Sequence, residues 1–272
     1  MTEPQVKKMK LIIEEDTNKI DENDEWAHIF KCISYDGTNE ITINSGQIKD
    51  AGRTWKGRKS QFEPRLLCKQ DTYEKRPEIF KRYGICILSI ANGLYLLTKT
   101  NIYHKLLFNS ISDIIEINKN TSSLLLKMGN SEMSMIDNLR YSGLFESSEY
   151  LNEPILFGSL LNGRHRCNFK TILGEKEINV SGSQYETDSC YESQNKILLI
   201  EGKGGNNESF NIRQLYYPFR SIYDIVQNKK EIIPIYINTD SRKIIHIWKF
   251  IFTNPLELTS ITCVSYNKYE LI

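Results

Sequence analysis

The residues best suited to chemistry lie between Asp188 and Lys203, in the run DSCYESQNKILLIEGK. A carboxylate is followed, after a turn-length gap, by an apolar stretch ending Glu201-Gly202-Lys203. Side chains two apart on a strand project from one face, so Glu201 and Lys203 are expected side by side. Asp188, on the neighbouring strand of a hairpin, can reach the same point. Two acidic oxygen donors and an ammonium at the rim of a sheet form a set able to serve Mg²⁺-assisted hydrolysis of a phosphodiester. Carboxylates bind a hard cation through oxygen, the metal activates water, and a lysine steadies the nucleophile or the developing charge.

Such a pair needs its context, because Glu-x-Lys is also a common solvated surface pair of little energetic weight. Ile197, Leu198, Leu199 and Ile200 are apolar at consecutive positions, which predicts a strand buried on both faces. A central strand ending in charges and then Gly204-Gly205 puts those charges in a crevice at the sheet rim. Downstream, Ile212, Leu215, Tyr216, Phe219, Ile222, Tyr223 and Val226 repeat at three and four, predicting a helix over 211–227, with Pro218 inside it as a kink or restart. Arg213, Gln214, Tyr217 and Arg220 fall off that apolar stripe. The arginines are candidates for gripping backbone phosphates and Gln214 for orienting near the reacting group; an ordinary polar helix face is the plainer alternative.

The elements that must hold these residues can be read along the chain. Helices are expected over 26–35, from a Ser45 cap to near Gly52, over 78–83 after Pro77 and before Gly84, and over 131–144 with Ser131 as cap. Asn92-Gly93 between two apolar runs is a hairpin signal. Strands are expected from Leu66 and over 111–117, 155–161, 166–173, 177–185, 196–201, 232–237, 243–252 and 261–266, with Pro234 marking an edge or bulge. The polar stretch Asn118 to Ser123 suggests a boundary, dividing an N-terminal α+β region (1–120) from a second half (121–272) of mixed α/β class.

Charge is nearly balanced, 35 Lys and Arg against 34 Asp and Glu, so a nucleic-acid partner would have to meet a local basic surface. The acidic stretch Glu14 to Glu25 supplies part of the balance and reads as a solvated lead-in. The segment Gly52 to Arg65 is such a basic surface: Arg53, Lys56, Arg58, Lys59 and Arg65 surround Trp55 and Phe62, a mixture suited to phosphate contact and stacking, or equally to a solvated loop. Six cysteines stand singly without a CxxC pair, against a zinc ribbon or disulfide framework and for a reducing cytoplasm. Four histidines show no metal-binding grouping, and no P-loop, GxGxxG or GxSxG is present. No apolar run of signal-peptide or membrane-spanning type is found, so no membrane partner is expected.

The second half resembles the PD-(D/E)xK nuclease superfamily, and within it type II restriction endonuclease-like proteins. The resemblance is carried by Gln184-Tyr185-Glu186-Thr187-Asp188, by Ile200-Glu201-Gly202-Lys203 and by Phe210 to Arg220, FNIRQLYYPFR; Glu63 to Leu67 and Arg76 to Phe80 are weaker echoes in the first half. Thr187 stands where the superfamily's proline would precede Asp188. The resemblance implies a central mixed β-sheet flanked by helices and a Mg²⁺-dependent endonuclease acting on double-stranded DNA, most simply as a homodimer matching a symmetric site. It implies Asp188 and Glu201 as metal ligands, Lys203 beside the attacking water, and Gln214 and Arg213 on the backbone. Glu186 shares a face with Asp188 and remains an alternative or additional ligand, and Glu132, on the preceding helix, is the candidate for a further acid. A repair or structure-specific nuclease, and a catalytically silent DNA-binding protein of the same fold, are the rival expectations.

Overall fold

A computed structural model describes residues 24–109, 113–120, 122–127, 129 and 131–272, together with all but the side chains of Lys59, Ser60 and Lys127 in that range. Most of the acidic lead-in lies outside the described residues, as do positions 111 and 112 of the strand expected over 111–117. Among the described residues there are six α-helices and thirteen strands, a mixed α/β chain. Two compact units account for them. The first comprises the described residues up to Gln70 with Arg76–Ile87 and Gly93–Lys99; the second comprises Asp71–Lys75, Leu88–Asn92 and Thr100–Ile272. The units divide near residue 100, ahead of the polar stretch at 118–123, because the strands between them belong with the second unit.

In the first unit, helix α1 (Glu25–Cys32) starts at Asp24, whose carboxylate accepts the Trp26 and Ala27 N–H groups. Strand β1 (Ile41–Asn44) leads into α2 (Ser45–Thr54). The cap of α2 is Asn44 rather than Ser45: its side chain accepts from Gln47 N–H while the Gln47 side chain accepts from Asn44 N–H. The strand expected from Leu66 is instead the short helix α3 (Pro64–Leu67), with Pro64 at its first position and Glu63 accepting the Arg65 N–H. Helix α4 (Glu78–Tyr83) ends at Gly84 in the left-handed conformation (φ 59°), as its sequence predicts. Strands β2 (Cys86–Ala91), which belongs to the second unit from Leu88 onward, and β3 (Leu94–Thr98) flank Asn92-Gly93, and β1 pairs antiparallel with β3. Trp26, Phe30, Ile43, Ile48, Phe80 and Leu97 meet in the core of this unit.

The second unit continues with β4 (Tyr103–Lys105), β5 (Ile114–Ile117) and α5 (Glu132–Tyr141), the last capped by Ser131. No strand forms over 155–161. That segment runs irregularly, with Leu156 and Phe157 N–H groups donating to Glu192 and Leu160 N–H to Cys190, and its apolar side chains are largely exposed. A long hairpin follows, β6 (Gly163–Leu173) and β7 (Lys176–Thr187). Then come β8 (Ser189–Glu192), β9 (Lys196–Gly204), β10 (Ser209–Asn211), α6 (Arg213–Val226), β11 (Glu231–Thr239), β12 (Ile245–Phe252) and β13 (Ile261–Leu271). Six strands form one mixed sheet in the order β5-β13-β12-β11-β9-β8, in which β9 runs parallel to β11 and β5 to β13. Pro234 is tolerated within it because the β11–β12 ladder begins only at Ile235, leaving an edge at the proline. Pro218 neither ends nor restarts α6. Its missing N–H forfeits one bond near the helix start, and burial of Leu215, Tyr216, Phe219 and Ile222 holds the helix together.

Alternation sorts the sheet's faces. Leu198, Ile200, Ile233, Ile235, Ile237, Ile245 and Ile247 pack with Ile136 and Leu139 of α5. The intervening residues, Glu201 among them, face the side where α6 lies. Replacing Ile235, which is wholly buried, with alanine is expected to cost about 2–5 kcal/mol. Ile225→Ala, at an exposed position in the last turn of α6, should change stability by less than about 0.5 kcal/mol. Urea unfolding of the two variants checks this contrast.

Candidate active site

Asp188 sits at the joint where the chain leaves β7 and enters β8, the edge strand of the six-stranded sheet. Strand β8 pairs antiparallel with β9 in a register that ends at Ser189 opposite Ile200, which brings Asp188 beside Glu201. Its Oδ2 accepts the Gly202 N–H at 2.7 Å. The two-residue period of β9 puts Glu201 and Lys203 on one face, and Lys203 Nζ lies 2.7 Å from Glu201 Oε1 and 3.9 Å from Asp188 Oδ2. From the first turn of α6, Gln214 Nε2 donates to the same Glu201 oxygen at 2.7 Å. Asp188, Glu201, Lys203 and Gln214 therefore converge as their spacing predicts.

Glu201 is only 6% exposed, and burial, assisted by Asp188 and Asp71, pushes its carboxyl up to about 8 against the pull of Lys203. Burial also raises Asp188, partly countered by Lys203 and the Gly202 N–H. For Lys203, burial alone would disfavour the charged form. Glu201, Asp188 and Glu132 outweigh it, so the ammonium is held above its ordinary value. The lysine is a fixed cation in this setting, not a base.

The other expected acids are placed differently. Glu132, at the start of α5, accepts the Gly204 N–H at 2.8 Å and adds its field to both Asp188 and Lys203. It belongs to the edge of the cluster. Glu186 also acts on Asp188 through its charge, but its side chain is 64% exposed and pairs with Arg164 across the β6–β7 ladder at 2.7 Å. Asp71 was not foreseen. Its field reaches Glu201 and Tyr236, and the Asn211 N–H donates to its carbonyl just before α6. No spacing pattern links position 71 to 201, so only the tertiary fold reveals it.

Two helix residues expected at a nucleic-acid surface are internal. Tyr217 is fully buried and its hydroxyl donates to the Ser89 carbonyl; Arg220 is buried, stacked over Phe169 and Tyr223, and paired with Asp224 at 2.8 Å. Helix α6 packs against β6 and β7 as well as β9 and β11, so the face opposite its apolar stripe is covered too. Arg213 is less enclosed; its guanidinium donates to the Gln184 carbonyl and lies over Tyr217. In the first unit, Arg53, Lys56, Arg58 and Arg65 are exposed, with Arg53 engaged by Asp50. The Lys59 side chain lies outside the described residues. Phe62 is buried, while Trp55 is half-buried, packs on His28 and Phe62, and gives its N–H to Gln61.

Among the described residues no group of three or more His, Cys, Asp and Glu side chains is placed to hold a metal ion. A pair of carboxylates is nonetheless the provision that Mg²⁺ commonly uses, with water and substrate phosphate completing its shell. The buried Gln214 Oε1 has no hydrogen-bond partner, an acceptor suited to metal-bound water. The donor set fits a hydrated Mg²⁺ held by Asp188 and Glu201.

Residues 98–270 match a family model described as "Domain of unknown function (DUF6997)", and residues 23–97 match one described as "Domain of unknown function (DUF6996)". The break between the two matches falls beside the division between the compact units at Lys99 and Thr100. No curated protein and no solved structure matches the chain.

Without metal, folded Glu201 keeps a proton that an unfolded glutamate loses near its ordinary value of 4.5. Its raised value therefore stabilises the folded chain below about pH 4.5, a contribution lost as pH rises through about 8. Urea midpoints at pH 5.5 and 8.5 should fall more steeply for the metal-free wild type than for Glu201→Gln.

Proposed function

We propose that this chain, which belongs to the family described as a domain of unknown function (DUF6997), is a Mg²⁺-dependent DNA endonuclease of the PD-(D/E)xK type. The observation that carries the reading is the meeting of Asp188, Glu201 and Lys203 at the end of β9, with Gln214 of α6 bonded to Glu201. The substrate is double-stranded DNA, and the most economical biological setting is type II restriction by a cytoplasmic homodimer. No helix of the described chain is long and apolar enough to cross a membrane.

Bound Mg²⁺ would lower the pKa of a water and neutralise charge on the scissile phosphate. Asp188 and Glu201 would supply its oxygen ligands. The Gly202 N–H fixes Asp188, and the Gln214 amide fixes Glu201. Lys203, kept protonated by its acidic neighbours, donates from Nζ towards the attacking oxygen and the negative charge that grows on the phosphoryl group. The start of α6 adds the positive end of a helix dipole beside that charge. Attack by the water oxygen forms the new P–O bond as the bond to the leaving oxygen breaks; the water gives up its proton to solvent, and the leaving oxygen takes one up from solvent. In the first unit, the exposed Arg53, Lys56, Arg58 and Arg65 are the groups available for phosphate contact during recognition.

Purified protein with Mg²⁺ is expected to cut plasmid or phage DNA into discrete fragments. Lys203→Ala should slow cutting on the order of 10²–10³-fold, as loss of a charge-stabilising donor does, while duplex binding stays within a few-fold. Normal cutting by that variant would sink the site assignment. Calorimetric titration with Mg²⁺ or Ca²⁺ should show binding that Asp188→Asn and Glu201→Gln each remove; a catalytically silent homologue would show none to begin with.

A further inference from the structure

The sheet face that carries Glu201 and Lys203 does not end with them. In the strand register Glu201 stands opposite Tyr236, Tyr236 opposite Trp248, and Trp248 opposite Tyr266. One row lower, Lys203, Asn238, His246 and Lys268 are aligned in the same way. Cross-strand partners share a face, so a line of aromatic rings runs from the carboxylates towards β13. Phe210 of β10 stacks on Tyr236 at 4.5 Å and roofs the middle of the row. Beyond that roof the face opens into a cavity of about 440 Å³ lined by His104, Leu107, Phe108, Trp248, Cys263 and Tyr266, with Asn109 at its edge.

Its geometry is that of a platform. The rings of His246, Trp248 and Tyr266 lie within 35° of parallel to one another at centroid spacings of 5.1–6.0 Å. Phe108 stands on them edge-on, at 90° to Trp248 and 78° to His246. It is 45% exposed, a large apolar ring held by aromatic partners yet open to solvent. Tyr266 is fixed in its plane by a 2.7 Å hydrogen bond between its hydroxyl and His246 Nδ1. Asp240 lies 3.6 Å from His246 Nε2 and is paired with Arg242, and Lys268 adds a further positive charge beside His246. Trp248 and His246 are buried, so the rings open to a ligand are those of Phe108 and Tyr266. Exposed aromatic rings beside a cation such as Lys268 are what single-stranded nucleic acid binds, by stacking bases and tracking the backbone. A volume of 440 Å³ is within the range of about 300–1,000 Å³ that accepts a small planar group. Two inter-strand steps separate β9 from β12, about 10 Å, or about three nucleotides at the rise of a stacked strand.

We propose that the Phe108–Trp248–Tyr266 cavity is a base-stacking subsite, which takes an unpaired nucleobase of the strand whose phosphate lies at Asp188, Glu201 and Lys203. This inference rests on the nuclease reading for the identity of its occupant. It adds that a nucleotide of the duplex is extruded a few positions from the cut, so that its base leaves the stack and enters the cavity.

The test uses full-length Lys203→Ala protein with Mg²⁺ and a fluorescein-labelled oligothymidine, compared with an abasic strand of equal length. The thymidine strand should bind at least about tenfold more tightly than the abasic one, as base–aromatic stacking requires. Adding Phe108→Ala should remove about tenfold for the thymidine strand and nothing for the abasic strand, and Phe108→Tyr should restore binding. Equal affinity for both strands, or no effect of Phe108→Ala, overturns the subsite; a cavity that receives a peptide instead would give that result. Cutting of DNA by the wild-type protein is scored separately. Base-dependent binding without any Mg²⁺-dependent cutting would leave the subsite standing and remove the nuclease reading alone.

Discussion

A carboxyl group out of contact with water can carry charge only beside a cation, and Glu201 has Lys203 at 2.7 Å to favour that form against its burial. The pair sits where β9 ends, between a sheet rim and the first turn of α6, so its cost in desolvation is met by partners on several sides. Lys203 and the Gln214 amide share one Glu201 oxygen. Asp188 extends the charge cluster without touching Glu201's hydrogen bonds, being held by the Gly202 N–H. Removing any one of these groups changes the balance for the others, because acid and ammonium shift each other's protonation within the same low-dielectric pocket.

The architecture serves that cluster. Parallel pairing of β9 with β11 sends both strands' carboxyl ends towards the same rim, the position at which open α/β sheets commonly place ligands. The step from β7 to β8 delivers Asp188 to the rim from outside the sheet's hydrophobic centre. On one face, α5 closes over the isoleucine-rich layer; on the other, α6 supplies Gln214 and shields the carboxylate. The aromatic row extends this second face as a buried layer, which is why the charged centre and the ring cavity lie on one face of the sheet.

Much of this was legible in the residue order. The two-residue period placed Glu201 against Lys203, the apolar run Ile197 to Ile200 marked an interior strand, and the helical repeat from Ile212 marked α6. Asn92-Gly93 and Gly84 announced their turns. What sequence could not supply was the number of neighbours around an element. Tyr217 and Arg220 lie off the apolar stripe of α6 and still become buried, since the β6–β7 hairpin packs on a second side of that helix. Tyrosine and arginine give little warning of this, for each combines a long apolar body with a polar tip. The run at 155–161 carries strand-forming residues but runs irregularly beside β8, so composition alone misled there. Asp71 and the Phe108 platform depend on contacts between distant parts of the chain, beyond any local period.

Gly202 separates the glutamate from the lysine and, by alternation, looks the other way, towards α5. A β-carbon built there would lie 3.3 Å from Ile136 Cδ1, 3.6 Å from Met135 Cε and 3.7 Å from Asp188 Oδ2. The spacer between the two charged residues is thus the point at which the helix behind the sheet touches the chemistry in front of it. A side chain introduced there would push the Ile136 terminus aside by a few tenths of an ångström and rest against Asp188, reaching the acidic cluster from behind the sheet.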